Sequence, residues 1–290
     1  MIRFLKLLIR LALSIFCKEV HLKNKHLLST KGSLLIIANH PNSFLDAIII
    51  GAYYKRRVYF LARGDVFQKK HFRILLGFLN MIPVYRLREG REFLHLNEYA
   101  FTKSVELISK GEAVLIFIEG ICLNKNEIQP FKKGTARIVE GLYKKNIFPT
   151  IHIAGIAYNN FNGIGKKVNL VITDFVFNNK IENGADRVNF NNLVYSSLSE
   201  NIIIPTQPTQ INKTIIYYIH LPYYRLIKKF AEKKTNGTVF FDSVLFSLLL
   251  FSYPIYLFMI GFILSLFSLP IIIILITLLL IAYLSKQCIL

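Results

Sequence analysis

The chain is poor in cysteine. Its 290 residues include three, Cys17, Cys122 and Cys288. Their spacing fits neither a zinc site nor a disulfide framework, so we predict no metal site. Two of them stand in or beside apolar segments, which favours a reducing compartment.

Acidic residues are also scarce. The chain has 17 Asp and Glu against 36 Lys and Arg, a net charge of +19, while 53% of its residues are hydrophobic. A basic and apolar chain is typical of a protein that meets anionic lipids or phosphorylated or acidic substrates. A nucleic-acid binder needs a basic stripe with exposed aromatic residues, whereas most aromatic residues here lie in apolar runs. We therefore predict no nucleic-acid partner.

No charged residue and no histidine occurs between Ser243 and Ser285. This run is about twice the roughly 20 residues that a spanning helix needs, so we predict two membrane helices over 243–285. Pro254 and Pro270 interrupt the run, and the turn is expected near 261–270. A buried helical pair in a soluble core is the alternative, but the run has no polar face.

Lysines flank this hairpin on both sides, at Lys233, Lys234 and Lys286. Basic flanks favour the cytoplasmic side, which places the main domain on the cytoplasmic face of a membrane, with a bacterial inner membrane as the expected location. A basic aromatic segment over 216–242 precedes the hairpin and is expected to lie near the membrane.

The N-terminus is basic and apolar at once. Its apolar run is short and no small-residue cleavage site follows, which excludes a signal peptide. Arg3, Lys6 and Arg10 are spaced three and four apart. We predict an amphipathic interfacial helix over residues 1–20 whose basic face meets lipid headgroups. The alternative is a helix that packs on the core with a charged edge.

Short apolar runs alternate with helical patterns from residue 21 to residue 215. This alternation predicts an α/β domain with a largely parallel mixed sheet flanked by helices. The predicted strands are 33–39, 57–62, 81–86, 113–120, 150–158 and 168–177, and the predicted helices are 44–54, 67–79, 92–109 and 134–146. Ligands of such sheets bind at the carboxyl ends of strands, where His40, Arg86 and Glu119 fall.

The stretch "NHPNSFLDA", residues 39–47, has two interpretations. Ser43-x-x-Asp46 matches a capping box, in which case Asp46 caps a helix and His40 is a turn residue. Alternatively, Asp46 reaches back to His40 and fixes its tautomer, so that the other ring nitrogen can take a proton from a hydroxyl. Ser43 is disfavoured as a nucleophile because no G-x-S-x-G elbow surrounds it.

Two further places are suited to an anion. Arg86 ends a strand and can grip a phosphate through two hydrogen bonds. Lys132, Lys133 and Gly134 stand at the start of a helix, where backbone N–H groups favour an anion. Each could instead be a solvated basic loop.

Four blocks in this order resemble the glycerophospholipid acyltransferase family, the lysophosphatidic acid acyltransferase-like enzymes. The resemblance covers roughly residues 30 to 175. The blocks are Asn39-His40 with Asp46, Ile82-Pro83-Val84-Tyr85-Arg86, Phe117-Ile118-Glu119-Gly120 followed by Phe131-Lys132-Lys133-Gly134, and a strand that opens at Pro149. Two features depart from the family pattern: Asp46 follows His40 by six positions rather than five, and the third block lacks Thr-Arg after Glu119-Gly120.

The resemblance implies an O-acyltransferase with His40 as general base and Asp46 as its orienting partner. It implies substrate contacts from Asn39, Arg86, Glu119, Gly120, Lys132, Lys133 and Gly134. The donor would be acyl-CoA or acyl-carrier protein, with no cofactor, and membrane lipids would be partners. The expected acceptor is 1-acyl-sn-glycerol-3-phosphate, giving phosphatidic acid for phospholipid biosynthesis. Glycerol-3-phosphate or another lysolipid stays open, as does a non-enzymatic lipid-binding scaffold on the same fold.

Overall fold

The computed structural model describes residues 2–85, 96–205, 215–266 and 270–288. The strands are β1 Cys17–Lys23, β2 Leu34–Ala38, β3 Val58–Arg63, β4 Met81–Val84, β5 Ala113–Phe117, β6 Thr150–Tyr158 and β7 Lys166–Phe175. The helices are α1 Ile2–Phe16, α2 Phe44–Tyr53, α3 Lys70–Phe78, α4 Asn97–Ser109, α5 Gly134–Tyr143, α6 Gly184–Asn201, α7 Ile215–Thr235, α8 Phe241–Ser265 and α9 Ile271–Cys288. Short 3-10 helices lie at Lys25–Ser29 and Gly64–Phe67.

The seven strands form one sheet in the order β1-β7-β6-β2-β5-β3-β4. Neighbouring strands are parallel except for β6 and β7, which form an antiparallel pair. The prediction of an α/β fold with a largely parallel mixed sheet is therefore confirmed. Strand β2 lies at the centre between β5 and β6, so the chain that leaves β2 is surrounded by the ends of its neighbours.

Helices cover both faces of the sheet, as the side chains of β2 illustrate. Leu34, Ile36 and Ala38 pack into one core with residues of α1, α2, α7 and α8. Leu35 and Ile37 pack into a second core with residues of α4, α5 and α6. A strand that is buried on both faces reads as an unbroken apolar run, which is why it was recognisable in the sequence.

The predicted helix over residues 1–20 is wrong in its last four residues. Helix α1 ends at Phe16, and Cys17–Lys23 forms the edge strand β1, parallel to β7. The side chains of Glu19, His21 and Lys23 are exposed on this strand while its other residues are at least partly buried. This alternation has the period of two expected for an edge strand. In the sequence it is masked by the helical spacing of the preceding basic residues.

Lys6 and Arg10 of α1 do not face outward as predicted, whereas Arg3 is exposed. Lys6 donates to the backbone carbonyls of Tyr54 and Arg56, each at 2.6 Å, and Arg10 donates to that of Ala52 at 2.7 Å. These carbonyls lie at the end of α2, where helical partners run out and a cation is favourable. The apolar side chains are exposed instead, with Phe4 at 65%, Leu7 at 62% and Leu11 at 59%.

Helices α7, α8 and α9 pack on one another at the C-terminal end of the chain. Gly261 of α8 allows a close approach to α9, because a Cβ there would lie 2.9 Å from Leu278 Cδ1. Among the helices of the described residues, α8 is the one that is long and apolar enough, by length and composition, to cross a membrane. Its first turns nevertheless belong to the domain core, since Leu245 and Phe246 are buried there.

Candidate active site

The loop between β2 and α2 carries the predicted catalytic residues. It leaves the carboxyl end of β2, and the parallel strands β5 and β6 end on either side of it. Asn39 opens the loop and is buried. Its amide donates to the carbonyl of Ile156 and accepts from the N–H of Ile156, both at 2.8 Å. Asn39 therefore ties the loop to β6, and its contact with a substrate stays a prediction.

His40 and Asp46 form a hydrogen-bonded pair. His40 Nδ1 lies 2.9 Å from Asp46 Oδ2, and the Asp46 side chain is fully buried while that of His40 is 19% exposed. Asp46 Oδ2 also accepts the backbone N–H of Asn42 at 2.8 Å, and its Oδ1 accepts the Tyr158 hydroxyl at 2.7 Å. Burial raises the pKa of Asp46 above its ordinary value, and the bonds from His40, Tyr158 and Asn42 oppose that rise. Donors on both oxygens favour a carboxylate that accepts a proton-bearing Nδ1.

The capping-box interpretation is wrong. Ser43 precedes α2 with φ 52° and ψ −139°, and its side chain makes no capping hydrogen bond. The Asp46 carboxylate bonds to His40 and to the N–H of Asn42, one residue before the N-cap. The position of Asp46 three residues after Ser43 therefore brings its carboxylate within hydrogen-bond distance of His40 Nδ1.

One face of the His40 ring is packed against a neighbour, and the edge that carries Nε2 is open. It stacks on the Phe117 ring with centroids 3.8 Å apart and planes 12° apart. Within the described part of the chain, Nε2 makes no hydrogen bond, and His40 lines a large cavity. An imidazole with a buried carboxylate on one nitrogen and open space at the other can take a proton from a substrate hydroxyl.

Glu119 orders the two loops that meet at the site. Its carboxylate accepts the backbone N–H of His40 and that of Gln129, each at 3.3 Å. Burial raises the pKa of Glu119 to about 7. Gly120 follows with φ 63° and lines the cavity, so the residue after Glu119 adopts a left-handed turn that glycine permits at little cost.

The cavity beside His40 has a volume of about 1400 Å³. Its walls are mostly apolar and come from β3, β5, α2 and, unexpectedly, α8. The α8 residues Val244, Leu248, Phe251 and Ile255 line it. The predicted domain boundary at residue 243 therefore falls within α8 and divides residues that line the same cavity.

The predicted anion-binding residues are only partly brought together. Lys132 and Gly134 line the cavity, whereas the exposed Lys133 does not. Arg86 lies outside the described residues. Thr135, in the first turn of α5, also lines the cavity, and its hydroxyl is buried with no hydrogen-bond partner in the segments that the structure describes. A hydroxyl in that state at a helix N-terminus is suited to a ligand oxygen.

Cys122 lines the cavity close to the catalytic loop, and its sulfur lies 2.9 Å from the N–H of Ser43. Burial raises the pKa of this thiol to about 12, which keeps it protonated and unsuited to nucleophilic attack. The described ranges contain no group of three or more His, Cys, Asp or Glu residues that could hold a metal ion.

Sequence reasoning overlooked Tyr158 and Phe117. Tyr158 ends β6, and its hydroxyl holds the second oxygen of Asp46. It could have been found by the rule that selected His40, because the carboxyl end of β6 lies beside that of β2. The stacking of Phe117 under His40 depends on side-chain placement and has no signal in the spacing.

Part of the chain is similar to known proteins. The family model "Acyltransferase" matches residues 19–159. No curated protein sequence matches the chain. Among solved structures, the chain is similar to the 1-acyl-sn-glycerophosphate (LPA) acyltransferase PlsC from Thermotoga maritima, at 18% identity and a TM-score of 0.48, over 70% of this chain and 81% of that one. The matched segment contains the His40–Asp46 pair, Glu119 and Tyr158. Residues 19–159 are therefore similar to the acyltransferase family, as the four sequence blocks predict.

Proposed function

We propose that this acyltransferase moves a fatty acyl group from a thioester donor to the hydroxyl of a glycerophosphate-type acceptor at a membrane surface. The observation that carries the proposal is the His40–Asp46 pair, 2.9 Å apart, at the edge of an apolar cavity of about 1400 Å³. Pockets for small ligands measure roughly 300–1,000 Å³, so a cavity of this size suits a substrate with a long chain.

The mechanism follows from the two ring nitrogens of His40. The acceptor hydroxyl attacks the thioester carbonyl while its proton passes to Nε2. Asp46 keeps the proton on Nδ1 and stabilises the imidazolium that forms. Collapse of the tetrahedral intermediate breaks the C–S bond, and the imidazolium returns its proton to the departing thiolate, which leaves an ester and a free thiol.

The acceptor that we favour is 1-acyl-sn-glycerol-3-phosphate, with glycerol-3-phosphate or another lysolipid as the second choice. Lys132 and the hydroxyl of Thr135 lie together in the cavity wall at the start of α5, where a phosphate finds a positive side chain and backbone N–H groups. His40 lines the same cavity, so a phosphate held by Lys132 and Thr135 would share that cavity with the imidazole. The donor is acyl-CoA or acyl-carrier protein, and the acidic carrier suits a chain of net charge +19.

Membrane association is the third part of the proposal. Phe4, Leu7 and Leu11 of α1 are exposed, whereas Lys6 and Arg10 of the same helix are directed to the end of α2. Helix α8 has the length and apolarity of a membrane span. Burial of both surfaces in lipid would remove exposed apolar area from water and would place the cavity at the layer where its substrates reside.

An acyl-transfer assay on the full chain in lipid or detergent tests the proposal. Acyl-CoA and acyl-carrier protein are each offered with 1-acyl-sn-glycerol-3-phosphate and with glycerol-3-phosphate, and the ester product is measured. We expect His40→Ala to lose at least about a hundredfold in rate, and His26→Ala, which changes an exposed histidine of the 3-10 helix, to keep its rate. Equal rates for wild type and His40→Ala would refute the mechanism. No acyl transfer with any pair of substrates would favour the lipid-binding scaffold.

A further inference from the structure

A buried ion pair lies directly behind the catalytic loop. Lys166, at the start of β7, bonds to Asp242, in the first turn of α8, and both side chains are 0% exposed. The two residues come from parts of the sequence with different characters, the sheet domain and the apolar C-terminal helix. A buried pair of charges is weak evidence for stability, since desolvation offsets much of the attraction, and a role in fixing one arrangement is the better-attested use.

Asp242 is also bonded to the catalytic loop. Its Oδ2 accepts the side-chain amide of Asn42 at 2.8 Å, and its Oδ1 accepts the backbone N–H of Gly163 at 2.8 Å. Asn42 is fully buried, and its backbone N–H donates to the same Asp46 oxygen that contacts His40. One residue, Asn42, therefore joins the carboxylate of α8 to the carboxylate of the catalytic pair.

A second contact repeats the connection. The Ser243 hydroxyl, next to Asp242, accepts the backbone N–H of Leu45 at 3.1 Å. Leu45 stands in the first turn of α2, immediately before Asp46. The start of α8 thus holds the catalytic loop and the first turn of α2 at once.

The loop needs such support because of its backbone conformation. Ser43 has φ 52° without being a glycine, and such a conformation persists only where surrounding contacts over-determine it. Within the described residues Ser43 makes few contacts. Its N–H donates to the Cys122 sulfur, and its carbonyl accepts the N–H of Asp46. The bonds from Asn42 to Asp242 and from Leu45 to Ser243 bracket this residue on both sides.

We propose that Asp242 is a positioning residue of the acyl-transfer site, which acts through Asn42 to keep Asp46 aligned with His40. The proposal rests on the acyl-transfer function given above. It makes the first turn of α8 a part of the catalytic machinery, and it ties the catalytic loop to the helix that we expect to lie in the membrane.

The test removes the link without removing the ion pair. Asn42→Ala deletes the amide that reaches Asp242, keeps its own N–H on Asp46, and leaves Lys166 paired. We expect kcat to fall about tenfold or more while KM changes little, because a small misplacement of a catalytic group weakens the transition state more than substrate binding. The matched control is Asn201→Ala, which removes another buried amide, bonded to the Ile153 carbonyl and the Thr173 hydroxyl on the far face of the sheet.

A second readout does not depend on activity. Diethyl pyrocarbonate modifies accessible imidazoles, and mass spectrometry reports its rate at His40. We expect His40 to react several-fold faster in Asn42→Ala than in wild type, and at the wild-type rate in Asn201→Ala. The double variant Asp242→Ala/Lys166→Met removes both charges together with the oxygen that accepts the Asn42 amide, avoids an uncompensated buried lysine, and should show the same two changes.

The outcomes separate this proposal from the acyl-transfer function. If the wild type is active, and if Asn42→Ala and the double variant both match it in kcat and in the rate of His40 modification, the positioning role alone is overturned. An inactive wild type would refute acyl transfer, and the modification rates would still decide whether Asp242 aligns the loop. A loss of stability equal to that of Asn201→Ala, with kcat per folded molecule kept, would also overturn it, since Asp242 would then only stabilise the fold.

Discussion

The described residues contain two histidine–aspartate pairs, and of these two only one has the surroundings of a catalyst. His40 lies 2.9 Å from Asp46, and His152, in β6, lies 3.2 Å from Asp174. The burial of the two pairs is reversed. Asp46 is fully buried with a part-exposed histidine, whereas His152 is fully buried with Asp174 56% exposed.

The second difference concerns the far ring nitrogen. His152 Nδ1 is bonded to the hydroxyl of the buried Tyr54 at 2.8 Å, so both of its nitrogens are occupied within the protein. Burial lowers the pKa of His152, although Asp174 opposes the change. His40 has its far edge on the cavity. A histidine–aspartate pair therefore acts as a base only where the carboxylate is shielded from water and the other nitrogen can reach a substrate.

The largest effect should come from the buried carboxylate. Asp46→Asn replaces one acceptor oxygen by an NH₂ group, so either the His40 Nδ1–H or the Tyr158 hydroxyl then faces a donor. We expect kcat to fall at least about a hundredfold, because the tautomer with its free lone pair at Nε2 is no longer favoured. The matched control is Asp174→Asn, whose exposed carboxylate should be dispensable for turnover. Equal rates for the two variants in the acyl-transfer assay would remove the distinction between the pairs.

The next effect concerns stability rather than rate. His152→Ala leaves the Tyr54 hydroxyl without its partner and opens a void in a packed region, which should lower the free energy of unfolding by about 3 kcal/mol. Denaturant unfolding of the full chain measures the loss. Activity per folded molecule should stay at the wild-type value, and a large loss of kcat in this variant would mean that the two pairs are not separate.

Glu119, whose carboxylate accepts the N–H of His40, gives a pH dependence of stability opposite in sign to that of His152, whose pKa is lowered by burial. The pKa of Glu119 is raised from 4.5 to about 7, so between these values the folded chain holds a proton that the unfolded chain has released. Stability from this group is present below about pH 4.5 and is lost as the pH rises to about 7, by about 3 kcal/mol.

Glu119→Gln should remove that slope. The measurement is the unfolding midpoint of both proteins across this pH window, with Glu106→Gln as the control, since lysines hold the pKa of that exposed acid at about 2, below the window. A wild-type slope that persists unchanged in Glu119→Gln would assign the titration to another group.

The smallest effect tests the cap at the start of α2. Ser43→Ala should change stability by less than about 0.5 kcal/mol, because the Ser43 side chain caps nothing. The chain offers a true capping box for comparison at α6, where Asn183 accepts the N–H groups of Ala185 and Asp186 and Asp186 bonds back. Asn183→Ala should cost about 1 kcal/mol. Equal losses in the two variants would restore the capping interpretation of Ser43.

Much of the sheet domain could be predicted from the chain because its strands are buried on both faces and stand out as apolar runs. The His40–Asp46 pair was also predictable, since His40 directly follows such a run and Asp46 lies one helical turn into α2. The edge strand β1 was not, because its seven residues mix charged and apolar side chains and resemble a continuation of α1 until the partner strand β7 is known.

The contacts that order the site are the least predictable part. Tyr158 and Asp242 reach the catalytic loop from 112 and 200 residues away from their partners Asp46 and Asn42. Asp242 stands at the head of an apolar run, where an acid is normally a polar helix start near the membrane. Only the three-dimensional arrangement reveals that it pairs with Lys166 inside the domain. The direction of Lys6 and Arg10 in α1 was equally unpredictable from the sequence. Both side chains can bond either to lipid headgroups or to the backbone carbonyls at the end of α2, and only the fold brings those carbonyls close.

The most direct test of the account compares His40→Ala with His152→Ala in one acyl-transfer assay on the full chain, with rates expressed per folded molecule. We expect His40→Ala to lose at least about a hundredfold in kcat per folded molecule, whereas His152→Ala should keep its kcat and lose stability. The opposite pattern, or an equal loss of kcat in both variants, would contradict the assignment of His40 as the catalytic base.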